Sequence, residues 1–328
     1  MTLADEIDKW KNKKILIIGP ALVDMYIYGR ADHISPDAPV PSVKIEKRGA
    51  FLGGIGRVLK YVKSLGGIPE VCTIIGKDYE GDFFLNKMSA LKVDISGILV
   101  DDQIKTPQIT KIKARNQHLL RLETDYSTDI RDSTIKNFLK IIETRSKDVN
   151  SIVILDYGVG GLFEDLFIQE LLTRLKTHYK NIPIIVRPNS INYYLYEEVD
   201  LIKINLQKAL EIFSIERTTE TSVIIAAKKI INTSRAKNVL LNYLENDSIL
   251  LSQDSEKVQK FSPILQDRIR SYVAVGSVIM AVLGLSLASG NSMEDTIKLA
   301  LYSGALTASL PPVNFYKPEK LKQFISEN

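Results

Sequence analysis

The chain has 328 residues, 45% hydrophobic and 25% charged, a composition that suits one α/β unit over residues 1–328 with a large core. Its 43 basic and 39 acidic residues leave a formal charge of +4, and their scatter along the chain argues against a nucleic-acid partner. One cysteine and three histidines without shared spacing, His33, His118 and His178, exclude a disulfide framework and a cysteine or histidine metal site.

Residues 1–14 mix acids and lysines around Trp10, unlike the apolar core of a signal peptide. The run Ile15-Leu16-Ile17-Ile18, closed by Gly19, predicts a buried strand over 14–18. After it come Asp24, Tyr26, Tyr28 and Gly29, then Ile34-Ser35-Pro36-Asp37-Ala38-Pro39-Val40-Pro41. Alternation of apolar and polar residues predicts a half-exposed antiparallel strand over 41–47. Gly53-Gly54-Ile55-Gly56-Arg57-Val58 opens a helix expected over 55–65. A strand over 70–75 carries Cys72, read as a buried structural thiol, and a helix follows over 81–91. Residues 106–122 alternate as 41–47 do. Beyond them strands are expected at 152–156, 184–186, 201–204 and 239–243, and helices at 133–144, 162–178, 206–213, 223–232, 275–289 and 293–306. This βα rhythm predicts a parallel sheet with helices on both faces. The longest apolar stretch, 273–288, is interrupted by Gly and Ser and too short for a bilayer, so no membrane partner and a cytoplasmic location are expected.

The motifs before residue 122 together resemble the PfkB, or ribokinase-like, carbohydrate kinases, and within them the kinases of heptose 7-phosphate. The likeness runs from about Ile15 to about Leu306. It implies a ribokinase-like three-layer α/β sandwich with a central, mainly parallel sheet. It also implies a small β lid from about 41–47 and 106–122 that covers the sugar and pairs two subunits into a homodimer.

On the sugar side the resemblance puts Asp24 where the family's aspartate accepts hydrogen bonds from sugar hydroxyls, beside Tyr26. An ionised carboxylate only accepts, which suits a polyol; on the residues alone, a turn-capping aspartate is the alternative. Gly53 and Gly54 let backbone N–H groups approach a hydroxyl or phosphate closely. Arg57 stands where the family has an asparagine, a donor-only fork that favours an anionic ligand. Lys111 and Lys113 share one strand face and, with Gln117 and Arg121, match positions that face the sugar's phosphate. The alternative is a lid edge blunted by lysines.

The phosphate side departs from the family. Its Gly-Ala-Gly-Asp turn reads Ala274-Val275-Gly276-Ser277, so Ser277 replaces the aspartate base and only Gly276 remains of the anion hole. The Asn-x-x-Glu that organises the water shell of magnesium reads Asn205-Leu206-Gln207-Lys208, a charge reversal at Lys208. Arg187-Pro188-Asn189 stands for Asp-Pro-Lys, Val159 for a lysine, and 241–246 lacks the Thr-x-x-x-x-Gly nucleotide turn. The expected function is a catalytically degenerate sugar kinase that binds a sugar phosphate without efficient phosphoryl transfer and requires no cofactor. ATP and magnesium enter only in the first alternative, an active kinase with another base, for which Asp267 is the nearby acid. The second alternative is a structural partner subunit with an empty pocket. The tyrosines at 193, 194 and 196 read as packing, with no basic track around them.

Overall fold

The computed structural model describes residues 2–328 apart from 116, 125–129, 159–161, 217–218, 243–246, 255–257, 265–268 and 313. In chain order the elements are β1 (Lys14–Ile18), β2 (Ala21–Ile34), β3 (Pro41–Gly54), α1 (Ile55–Ser64), β4 (Ile68–Gly76), α2 (Tyr79–Ala90) and β5 (Ile98–Asp101). Then come β6 (Gln108–Ala114), β7 (Gln117–Thr124), α3 (Asp132–Arg145), β8 (Ser151–Leu155), α4 (Asp165–His178), β9 (Ile184–Arg187), β10 (Leu201–Asn205) and α5 (Leu206–Ile212). The last are α6 (Glu220–Ser234), β11 (Asn238–Asn242), β12 (Ser248–Ser252), β13 (Val258–Phe261), α7 (Val275–Ala288), α8 (Met293–Ser309) and α9 (Pro318–Glu327).

The large sheet runs in the order β13-β12-β11-β10-β9-β8-β1-β4-β5, parallel except where β12 and β13 add antiparallel at one edge. β1 lies between β8 and β4. Because successive side chains of a strand point to opposite faces, Ile15 and Ile17 join a core formed with α1, α7 and α8, whereas Leu16 and Ile18 join one formed with α3, α4 and α6. A strand covered on both faces must be apolar throughout, which explains its unbroken run. α7 is buried almost all round, as a helix wedged between a sheet and a further helix must be. No helix among the described residues is long and apolar enough to cross a membrane.

The second sheet is the lid, β3-β2-β6-β7. It has four strands, not strands from 41–47 and 106–122 alone. The missed strand, β2, begins Ala21-Leu22-Val23 and then sets Asp24, Tyr26 and Tyr28 opposite Met25 and Ile27. Its polar face looks onto a cavity and is rich in aromatics, so no plain apolar–polar alternation marks it. β5, β12, β13 and α9 were not expected either; all four are short, β5 and β13 lie at the edges of the large sheet, β12 lies next to one edge, and α9 is the last element.

Candidate functional site

The lid springs from the C-terminal end of β1, the edge where parallel α/β sheets form their crevices. Its root is tied to the sheet by the Ala21 N–H, which donates to Thr73 Oγ1 of β4 at 2.8 Å. β2 and β3 return to α1 through Gly53 and Gly54. A Cβ on Gly53 would lie 2.5 Å from Asp24 Oδ2, and Gly54 has φ +48°, so each needs the missing side chain.

Asp24 is 1% exposed. The Lys111 ammonium donates to its Oδ1 at 2.9 Å, and Arg57 Nη2 donates to its Oδ2. Lys111 also reaches Tyr26 Oη at 3.3 Å. Tyr26 and Tyr28 stack with ring centroids 5.9 Å apart, and Phe51 meets Tyr26 edge-on at 5.8 Å. The expected sugar-binding carboxylate is therefore already held by two cations, one on each oxygen. It keeps acceptor capacity for a hydroxyl, since a carboxylate has about four lone-pair sites. The Arg57 Nε–H is buried with no partner among the described residues, and its guanidinium braces Asp24 instead of lining the adjoining cavity.

That cavity, of about 460 Å³, is lined by Tyr26, Tyr28 and Phe51, by the cations Lys60, Lys111 and Lys113 with His118, and by Val273, Pro312 and Phe315. Lys60 lies 4.3 Å from the centre of the Phe315 ring; burial and the charge of Lys87 hold its pKa below the ordinary value. Burial and then Lys113 and Lys111 lower that of His118. Neither Lys60 nor Lys113 forms an ion pair among the described residues. Of the residues expected to hold the sugar's phosphate, Lys111 and Lys113 line the cavity. Gln117 is exposed at the lid tip and Arg121 pairs with Glu123, so neither is brought to it. Sequence reasoning missed Lys60 and His118. Lys60 follows Arg57 by three residues on one helix face, a legible signal; His118 meets Lys113 across the hairpin.

A second cavity, of about 260 Å³, opens at the ends of β8, β9 and β10, and Asp156, Tyr157, Arg187, Asn189, Lys203 and Lys208 are among its lining residues. Asp156 accepts from the Gly158 N–H at 2.9 Å, Asn189 Nδ2 at 3.2 Å and Tyr196 Oη at 3.1 Å; burial nevertheless raises its pKa. Tyr196 is thus a packing residue that also serves this network. Arg187 stacks on Tyr157, 4.7 Å from the ring centre. A Cβ on Gly276 would lie 3.9 Å from Arg187 Nη1, so the guanidinium stands at the N-terminus of α7. Lys203 is 4% exposed and its ammonium has no hydrogen bond or ion pair among the described residues. Burial, then repulsion from Arg187, brings its pKa down to about 7.

The turn before α7 keeps a glycine-like backbone without the glycine: Ala274 sits at φ +70°, ψ −4°. A conformation that glycine adopts without strain is thus held here by an alanine. Ser277 is 7% exposed, and no hydrogen bond is made by its hydroxyl among the described residues. Asn205 caps α5, accepting from the Gln207 N–H at 2.9 Å. Lys208 pairs with Glu211 at 2.7 Å on the exposed face. Asp267, Val159 and the turn at 243–246 lie outside the described residues. Among the described residues no group of three or more His, Cys, Asp or Glu could hold a metal. With Lys203, Arg187 and Lys208 around one buried and donor-saturated carboxylate, this donor set does not fit magnesium.

A profile described as pfkB family carbohydrate kinase matches residues 12–318. The chain belongs to that family. The bifunctional protein HldE of Desulfatibacillum aliphaticivorans is 28% identical over 295 residues, 90% of this chain and 59% of its own length. That of Helicobacter pylori strain G27 is 28% identical over 294 residues, 90% and 62%. The chain thus spans less than two thirds of either relative. Among solved structures, phosphofructokinase-2 from Escherichia coli in complex with potassium superposes with a TM-score of 0.76 over 97% of this chain and 99% of its own, at 16% identity. Arabidopsis thaliana ribokinase complexed with ribose and ATP gives 0.76 over 96% and 99%, at 13% identity. The fold is ribokinase-like.

Proposed function

We propose that this pfkB-family chain binds a sugar phosphate, of the heptose 7-phosphate class, in the cavity beneath its lid, and does not efficiently transfer a phosphoryl group to it from ATP. One observation carries the binding reading: the cavity sets Lys60, Lys111, Lys113 and His118 around stacked tyrosines, with Asp24 as the carboxylate at its root. Aromatic faces suit a sugar ring, and Lys60 and Lys113, which form no ion pair among the described residues, suit its phosphate. The likeness to HldE supports the sugar class. The nucleotide side supports the reading of lost transfer, since the Ser277 hydroxyl makes no hydrogen bond among the described residues and the donor set does not fit magnesium. Calorimetric titration with heptose 7-phosphate and, separately, with Mg-ATP tests the reading. Binding of the first without turnover supports it; failure of sugar phosphates to bind leaves the empty-pocket alternative.

We also propose a homodimer through the lid. Register places Ile27, Ile112 and Leu120 on the face turned from the cavity, and Leu120 and Leu122 are 51% and 50% exposed, an apolar stripe that pairing would cover. One form of E. coli phosphofructokinase-2 is a tetramer. Light scattering at micromolar concentration is expected to report a dimer; a monomer overturns the proposal.

A further inference from the structure

The nucleotide-side cavity departs from magnesium-dependent chemistry in a consistent direction. We propose that it binds a phosphate-class oxyanion, free or as the tail of a nucleotide, without a divalent cation, through Lys203, Arg187 and the first turn of α7. The inference rests on reading this side as unsuited to magnesium, and is tested apart from sugar binding.

Lys203 carries the argument. It is 4% exposed, lines the cavity and has no hydrogen-bond or ion-pair partner among the described residues. A buried ammonium without a counter-charge is strongly disfavoured unless a ligand supplies one. Asp156, the carboxylate that lines the same cavity, forms no ion pair with Lys203 among the described residues and instead accepts from Gly158, Asn189 and Tyr196. Arg187 adds a planar fork, steadied on Tyr157 and held beside Gly276, and forks of this kind grip phosphate oxygens in pairs. α7 is 14 residues long, so its N-terminus has orphan N–H groups and a favourable dipole. The Gly276 N–H is one of them, with no partner among the described residues. Lys208, at the rim, closes the positive ring while paired with Glu211. A magnesium ion entering such a ring meets like charge, whereas an oxyanion completes it.

The test uses the full chain and inorganic pyrophosphate, titrated in EDTA and again in excess magnesium. Saturable binding is expected in EDTA, and weaker binding with magnesium, which sequesters the anion. Lys203→Met and Arg187→Gln should each weaken binding about tenfold or more, the loss of one charge-assisted hydrogen bond. The thermal midpoint of each variant, measured alongside, shows that it is folded. ATP in EDTA separates the two sources: tighter binding than pyrophosphate assigns the anion to a nucleotide, and equal or weaker binding assigns it to a free anion. Absence of saturable binding at millimolar pyrophosphate, binding that requires magnesium, or unchanged affinity in folded Lys203→Met each overturns the proposal. Failure of heptose 7-phosphate to bind would sink the sugar-side reading and leave this one standing.

Discussion

The two cavities flank the start of α7, with Val273 in the wall of one and Gly276 close to Arg187, which lines the other, and both are lined by cations. They differ in what balances the charge. Beneath the lid, Asp24 draws Arg57 and Lys111 into a connected cluster, while Lys60 and Lys113 form no ion pair among the described residues. At the strand ends, Asp156 accepts from neutral donors and Lys203 has no hydrogen bond or ion pair among the described residues. The first arrangement is the one proposed to hold a sugar phosphate. The second stores unfavourable charge that an anion would relieve, and among the described residues it holds no group of three or more His, Cys, Asp or Glu that could bind a metal.

The sharpest way to break this contrast is to look for catalysis. The chain should show no magnesium-dependent ATP consumption with sugar phosphates; turnover in the usual range of about 1–100 s⁻¹ would turn the two cavities into one working active site. Ser277→Asp alone should not restore it, although a base is typically worth roughly 10²–10⁴-fold. A positioned base is useless when metal and phosphate are not positioned with it. Adding Ala274→Gly, Val275→Ala and Lys208→Glu should act non-additively with it, and robust activity from Ser277→Asp by itself would show that the other changes are tolerated drift.

Removing the carboxylate that organises the lid cavity comes next. Asp24→Ala strands Arg57 and Lys111 with like charge, which should cost roughly 3 kcal/mol of stability and weaken sugar-phosphate binding about tenfold or more. An unchanged urea midpoint would deny the cluster its structural role. Lys203→Met should do the opposite and stabilise. The folded-state pKa of Lys203, about 7, lies below its ordinary 10.5, so folding expels a proton between those values and stability rises with pH across the window. The gain from Lys203→Met is thus full below pH 7 and fades toward pH 10.5; urea midpoints at pH 6.5 and 9.5, with phosphate absent, should show the larger gain at the lower pH. The smallest effect belongs to the turn between the cavities. Ala274→Gly relieves a left-handed backbone worth about 1–2 kcal/mol, partly offset by the entropy of the unfolded glycine, so a net gain below about 1 kcal/mol is expected. A loss of thermal stability would mean that the Ala274 methyl packs usefully.

Local pattern determined the framework because period and burial are tied residue by residue. The unbroken run at 15–18 demanded a strand covered on both faces, the spacing of Lys111 and Lys113 put both on one lid face, and the apolar run from 275 located a helix with Ser277 in its first turn. Asn205 and Lys208 were also placed by pattern, but their occupations were not, since capping α5 and pairing with Glu211 depend on side-chain geometry. β2 escaped notice because a strand facing a binding cavity lacks plain alternation. Only the tertiary structure decided the partners. Asp24 meets a residue 33 positions on and another 87 on, and Lys60, His118 and Phe315 share a wall. Lys203, one polar residue in an apolar strand, gains its meaning from Arg187 on the next strand and from an aspartate engaged elsewhere. Such charge balances are set by which side chains lose water together, and that is decided when the layers pack.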